Sequence, residues 1–266
     1  MCLILFAHHA HPRYPLVLAA NRDEAYHRPA ARAAFWKDHP DIYGGRDLDR
    51  GGTWLAIARS GRIAAVTNFR NAHAARDAPR SRGDLVKDYL TSDVDARAYL
   101  ESVEKRGAQY NGFIVIAGNL DALYWLSNRG AGVAPIAPGV HGLSNHLLNT
   151  PWPKIQRSKR ALEALIDARE EALIRGLFDI LADRSLAADS ELPDTGVGLQ
   201  RERELSANFI SGEHYGTRAS TVVLIGGEGA VHFIERSFGR HGEPLGETAN
   251  HFNLKLPDRP APAGFR

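Results

Sequence analysis

The chain has 266 residues, 44% apolar and 24% charged, with a formal net charge of +2 and a single cysteine. Those values fit a globular protein and exclude an internal disulfide framework, while the dispersed Lys and Arg lack the patch that nucleic-acid binding needs. No apolar run reaches the roughly 20 residues that span a bilayer, and Met1 to Ala7 has no basic leader, so neither a membrane segment nor a signal peptide is expected and the lone thiol points to a reducing, cytoplasmic setting.

Residues 2 to 7 form a short, continuous apolar run, which predicts a strand covered on both faces. Residues 8 to 15 read as a loop, and Pro15 to Ala20 as a second buried strand that delivers Asn21-Arg22-Asp23-Glu24 at its end. A polar loop rich in Arg, His and Pro follows, leading to Gly44-Gly45-Arg46-Asp47 and Gly51-Gly52-Thr53. Trp54 to Ala58 and Arg62 to Thr67 predict a hairpin around Ser60-Gly61. Asn68 to Arg80 is polar and reads as mobile. Ser81 is placed to cap a helix to Leu90, and Asp93 another to Arg106, stopped by Gly107.

Gly112 to Ala117 and Ala122 to Ser127 predict a second hairpin, and Gly139 to Ser144 an extended segment leading into Asn145. Pro151-Trp152-Pro153 opens the longest helical stretch. Ile155, Leu162, Leu165 and Ile166 share its buried face, and the Lys154 to Arg160 charges its solvated one. A helix over 171–182 follows, then a linker over 184–199. Thr217 to Ile225 and Ala230 to Phe238 are strands joined at Gly226-Gly227-Glu228-Gly229. Clustered hairpins with grouped helices imply an α+β protein with antiparallel sheets. Strands apolar on both faces require layers above and below, so two stacked sheets between helices are expected. No repeat or linker divides the chain, which predicts one domain over 1–256 and a loose tail over 257–266.

Cys2 directly follows Met1. Removal of the methionine leaves a thiol and an α-amino group on one residue, with ordinary pKa values of about 8.5 and 8, so that nucleophile and base arrive together. The plain alternative is a small buried hydrophobe. Asp23 is suited to holding the amino group by a charge-assisted hydrogen bond, and Arg22 to favouring the thiolate. Asn68 and Asn145 each offer amide N–H donors for an oxyanion, worth about 3 kcal/mol per donor. Arg218 enters a late strand and can orient the nucleophile or a substrate carboxylate. His8-His9-Ala10-His11 lacks an acidic partner at metal-site spacing, so no metal is expected there and the histidines read as exposed loop residues. The Gly226–Gly229 turn precedes a strand and not a helix, which argues against a nucleotide loop, and no cofactor is expected.

Met1-Cys2, Asn21-Arg22-Asp23-Glu24, Gly52-Thr53-Trp54, Thr67-Asn68 and Gly216-Thr217-Arg218 resemble the NRDE family, also named for Transport and Golgi organisation protein 2. The resemblance implies a four-layer αββα sandwich like that of the N-terminal nucleophile hydrolases, closest to the cysteine branch with choloylglycine hydrolase, penicillin V acylase and acid ceramidase. It implies Cys2 as nucleophile, Asp23 as partner of its amino group, Asn145 as the oxyanion asparagine, Arg218 as the late-strand arginine and Asn68 as a second asparagine. Those amidases carry Arg-Asn-x-Asp, whereas this chain has Asn-Arg-Asp. Neighbours on a strand face opposite ways, so Arg22 and Asp23 cannot both face Cys2 without a bulge, and Asp23 is the stronger expectation. The implied activity is hydrolysis of a small-molecule linear amide or N-acyl substrate. The alternative is a binding and trafficking protein for haem or an acyl-CoA or lipid ligand in the same pocket.

Overall fold

A computed structural model describes residues 2–74 and 78–256, with Cys2 and Ala74 described by their backbone. The expectations for Met1, for part of the 68–80 loop and for the tail from Pro257 lie outside the described residues. The first strands are β1 (Cys2–His8), β2 (Leu16–Ala25), β3 (Ala30–Phe35), β4 (Ile42–Asp47), β5 (Leu55–Ala58) and β6 (Ile63–Asn68). Two helices follow, α1 (Arg82–Leu90) and α2 (Ala96–Lys105), then β7 (Phe113–Gly118), β8 (Leu123–Ser127), β9 (Ala134–Ile136) and β10 (Gly139–Leu143). The last part holds α3 (Pro153–Ala164), α4 (Glu170–Ala182), α5 (Leu199–Leu205), β11 (Tyr215–Ile225), β12 (Ala230–Phe238) and β13 (Pro244–Asn253).

The strands form a six-stranded sheet, β10-β1-β2-β11-β12-β13, and a seven-stranded sheet, β3 to β9 in sequence order. Every pairing between them is antiparallel. Side-chain alternation sorts the apolar residues into three layers. Ile4, Phe6, Leu16, Leu18 and Phe233 meet Tyr43, Leu55, Ile57 and Ile114 between the sheets. Leu3, Leu5, Val17 and Ala19, on the other face of the six-stranded sheet, pack against Ile155 and Leu162 of α3 and Leu173 and Leu177 of α4. Ala64, Val66 and Val115 of the second sheet pack against Leu85, Tyr89, Leu100 and Val103 of α1 and α2. The expected αββα sandwich is borne out. Burying a Leu or Phe contributes roughly 1.5–3 kcal/mol, which is why strands apolar on both faces are stable only inside such layers.

Several elements depart from the sequence expectations. β2 runs on through Ala25, so Asn21 to Glu24 lie within a paired strand and not beyond its end. Ser81 caps α1 as expected, but Asp95 and not Asp93 caps α2, accepting from Ala98 N. β3, β4, β9 and β13 carry no strand signal in the sequence, and α5 follows the expected linker. β13 is an edge strand, largely exposed along its length, so it has no apolar run to mark it. His8 and His11 are buried, against the expectation of exposed loop residues. His8 closes β1, and His11 Nδ1 accepts the Arg13 and Tyr14 amides. Lys154 is also buried, although it belongs to the charge run assigned to a solvated helix face.

Candidate active site

Antiparallel pairing carries the expected residues to one end of the sandwich. Cys2 begins β1, and its partner across β2 is Arg22. β10 runs back along β1 with Leu143 opposite Ile4, which sets Asn145 just beyond that ladder. Asn68 ends β6 in the second sheet and meets Asn145 across the gap, its carbonyl accepting from Asn145 Nδ2 at 3.0 Å. Asp23 pairs with Thr217 and Arg22 with Ala219, so Arg218 is the extra residue of a β-bulge.

The bulge lies in β11, and the alternation of β2 is kept. Arg22 faces between the sheets, its guanidinium 4.3 Å over the Trp54 ring and 3.5 Å from Asp47. Asp23 faces the helices, where the Thr217 hydroxyl donates to Oδ1 at 2.7 Å. Thus Arg22, and not Asp23, holds the register position opposite Cys2.

A cleft of about 270 Å³ opens at this end, lined by Arg22, Asp23, Arg28, Asp47, Trp54 and Asn68 and by the first residues of α1. Gly52 permits that approach. A Cβ on it would lie 2.5 Å from the Gly83 carbonyl carbon, so only glycine lets the α1 N-terminus close the cleft wall. Arg28 pairs with Asp47 at 2.7 Å. Burial alone would raise Asp47, but Arg28 and Arg22 pull its pKa below the usual carboxylate range. Burial pushes the Asp23 carboxyl up, opposed by Lys154 and the Thr217 hydroxyl. A smaller cavity of about 90 Å³ behind Arg22 and Trp54 is lined by Arg218 and Glu235. Glu235 accepts from Ala33 N at 2.8 Å, and burial raises its pKa.

Asn145 is buried in a left-handed conformation, φ 59°. One of its amide N–H groups is engaged by Asn68, and its Oδ1 has no donor among the described residues. Arg218 does not line the main cleft. Its Nη1 donates to the carbonyls of Ala25, Tyr26 and Arg28 at 3.1–3.2 Å, clamping the turn that presents Arg28. Sequence reasoning missed Arg28, Asp47, Glu235 and Lys154 as members of this region. Asp47 sits in the glycine-rich segment already singled out, whereas Glu235 and Lys154 carry no local signal.

Among the described residues, no group of three or more His, Cys, Asp and Glu is placed to hold a metal ion, and no helix is long and apolar enough to cross a membrane. Residues 1–240 match the Transport and Golgi organisation 2 family. The chain belongs to that family. The family resemblance read from Met1-Cys2 through Gly216-Thr217-Arg218 is therefore borne out. Within the family, the Transport and Golgi organization protein 2 homolog of Bos taurus is 39% identical over 275 residues, covering 94% of this chain and 98% of that protein. Among solved structures, the C2A mutant of conjugated bile acid hydrolase from Clostridium perfringens is 8% identical with a TM-score of 0.49, covering 98% of this chain and 100% of that one. The Caenorhabditis elegans ortholog of N-acylethanolamine-hydrolyzing acid amidase is 12% identical with a TM-score of 0.47, covering 84% and 92%.

Proposed function

We propose that the protein is a cysteine amidohydrolase that cleaves a linear amide through an acyl-enzyme on Cys2. The observation that carries this reading is the pairing of Cys2 with Arg22 at a cleft also lined by Asp23 and Asn68. An arginine at that register favours a thiolate. With Met1 removed, the α-amino group of Cys2 takes the thiol proton and the sulfur attacks the amide carbonyl. The second N–H of Asn145 stabilises the oxyanion. As the C–N bond breaks, the proton passes to the leaving amine, and water then hydrolyses the thioester to release the acid and regenerate the thiol. Arg218 serves this reading by holding the Ala25–Arg28 turn. If methionine is retained, the α-amino group becomes an amide and the base is lost.

Intact mass of protein from its native host, combined with a panel of N-acyl aminocoumarins, tests the reading. Expected are loss of one methionine, an acyl adduct on Cys2 and product release that Cys2→Ala abolishes. Turnover that persists in Cys2→Ala overturns it.

One observation favours a second reading, in which the cleft binds an acyl ligand without turnover: one Asn145 N–H and the Arg218 guanidinium are already engaged within the fold. Saturable acyl-ligand binding that survives Cys2→Ala, with no product formed, selects the binding reading.

A further inference from the structure

We infer that Arg70 and Glu202 are a positioning pair for Asn145: their buried ion pair fixes the segment after β6 whose backbone grips that asparagine. Asn145 is bonded to this segment in both directions. Its Nδ2 donates to the Asn68 carbonyl at 3.0 Å, and its own carbonyl accepts from the Arg70 amide at 2.7 Å. Residues 68 and 70 thus hold the side chain and the main chain of Asn145 together. Such a grip is needed, because a non-glycine residue at φ 59° persists only where its surroundings over-determine it.

The Arg70 side chain anchors the segment. Its Nη1 lies 2.8 Å from Glu202 Oε2, and only 4% and 3% of the two side chains are exposed. The guanidinium also lies 4.4 Å from the centre of the Trp152 ring, and Phe69 packs on His146. The segments after β6 and β10 therefore meet along Asn68, Phe69 and Arg70. On the far side, Glu202 belongs to α5, and its Oε1 accepts from the Thr195 amide at 2.9 Å. The Thr195 carbonyl in turn accepts from Ala72 N at 3.1 Å, which ties the same stretch of chain to the segment a second time. A buried ion pair adds little stability over an apolar pair of the same volume, although losing one partner is costly. What this pair supplies is one fixed arrangement of segments far apart in the chain, with Asn145 where they meet. The positioning stands on these contacts alone; its consequence for catalysis rests on the proposed function, in which the second Asn145 N–H meets the oxyanion.

Hydrogen exchange followed by NMR, together with urea unfolding, tests the inference in Arg70→Met, Glu202→Gln and the double variant Arg70→Met/Glu202→Leu. Each single variant leaves one buried charge unpaired and is expected to raise the unfolding constant about 100-fold. The double variant, apolar at both positions, is expected to recover most of that loss, and it carries the test should a single variant not fold. In it the backbone amide of residue 70 and the Asn145 side-chain amide are expected to exchange about tenfold faster or more, while the ladder amides of β6 and β10 follow global stability alone. A merely structural pair would leave both groups protected as in the wild type once stability is recovered, and that result overturns the inference. With an N-acyl aminocoumarin that is turned over, the double variant is expected to lower kcat about tenfold at unchanged KM; an unchanged kcat there also overturns it. Lost protection at residue 70 and Asn145 in a protein without amidase turnover would overturn only the proposed reaction.

Discussion

Arg22 and Asp23 are adjacent on β2, yet they belong to different electrostatic regions. On the inter-sheet side, Arg22 rests on Trp54 beside Asp47 and lines an open cleft. On the helix side, Asp23 lies in a polar layer with Thr217, Asn21 and Asn208. Both side chains are buried, so leaving either unpaired costs its desolvation; they differ in which partners supply the compensation. One strand therefore serves two sets of partners, one on each face.

Substitutions on the two sides should separate accordingly. The largest effect is expected from Asn21→Leu, which leaves the Leu181 and Asn208 carbonyls and the Ser220 hydroxyl without their partner. A loss of about 3 kcal/mol in urea unfolding is expected; a loss below about 1 kcal/mol would show that these bonds are not what holds the layer. Next is Gly52→Ala, whose methyl meets the Gly83 backbone. It should cost about 2 kcal/mol and move the α1 N-terminus away from the cleft, seen as faster amide exchange over Arg82–Asp84.

Trp54→Leu removes the ring under Arg22 and should cost about 1 kcal/mol, while weakening acyl-ligand binding at the cleft. Wild-type affinity in that variant would detach Trp54 from the site. The smallest change is one of slope. Burial raises Glu235 above its unfolded value, so the folded state holds that proton more tightly. Stability is then greatest below the ordinary glutamate range and declines as pH rises through the raised value. Glu235→Gln should flatten that decline. Asp47, held low by Arg28 and Arg22, acts with the opposite sign, its stabilisation being lost as pH falls.

Part of the candidate site is legible in the sequence, because strand ends and turn residues concentrate chemistry at one end of a sheet. Arg22, Asp23, Glu24 and Asn68, each marked that way, line one cleft, and Asn145 bonds to Asn68, whereas Arg218 lies outside it. The partners they would use were not legible. Arg218 spends its donors on the Ala25–Arg28 turn, and Asn145 gives an N–H to Asn68, because those groups come from segments far apart in the chain. β13 escaped notice for a related reason: its exposed face has no periodic apolar signal, and only pairing with β12 makes it a strand.

Sequence alone determined the layered architecture and the capped start of α1, since both follow from apolar periodicity and local hydrogen bonding. It also marked Cys2 by position, and the register later set Arg22 opposite it. Tertiary structure alone decided which face each neighbour on β2 serves and that Lys154 is buried. Those outcomes depend on which distant segments cover each face, and alternation along a strand fixes only that two neighbours differ, not what each will meet.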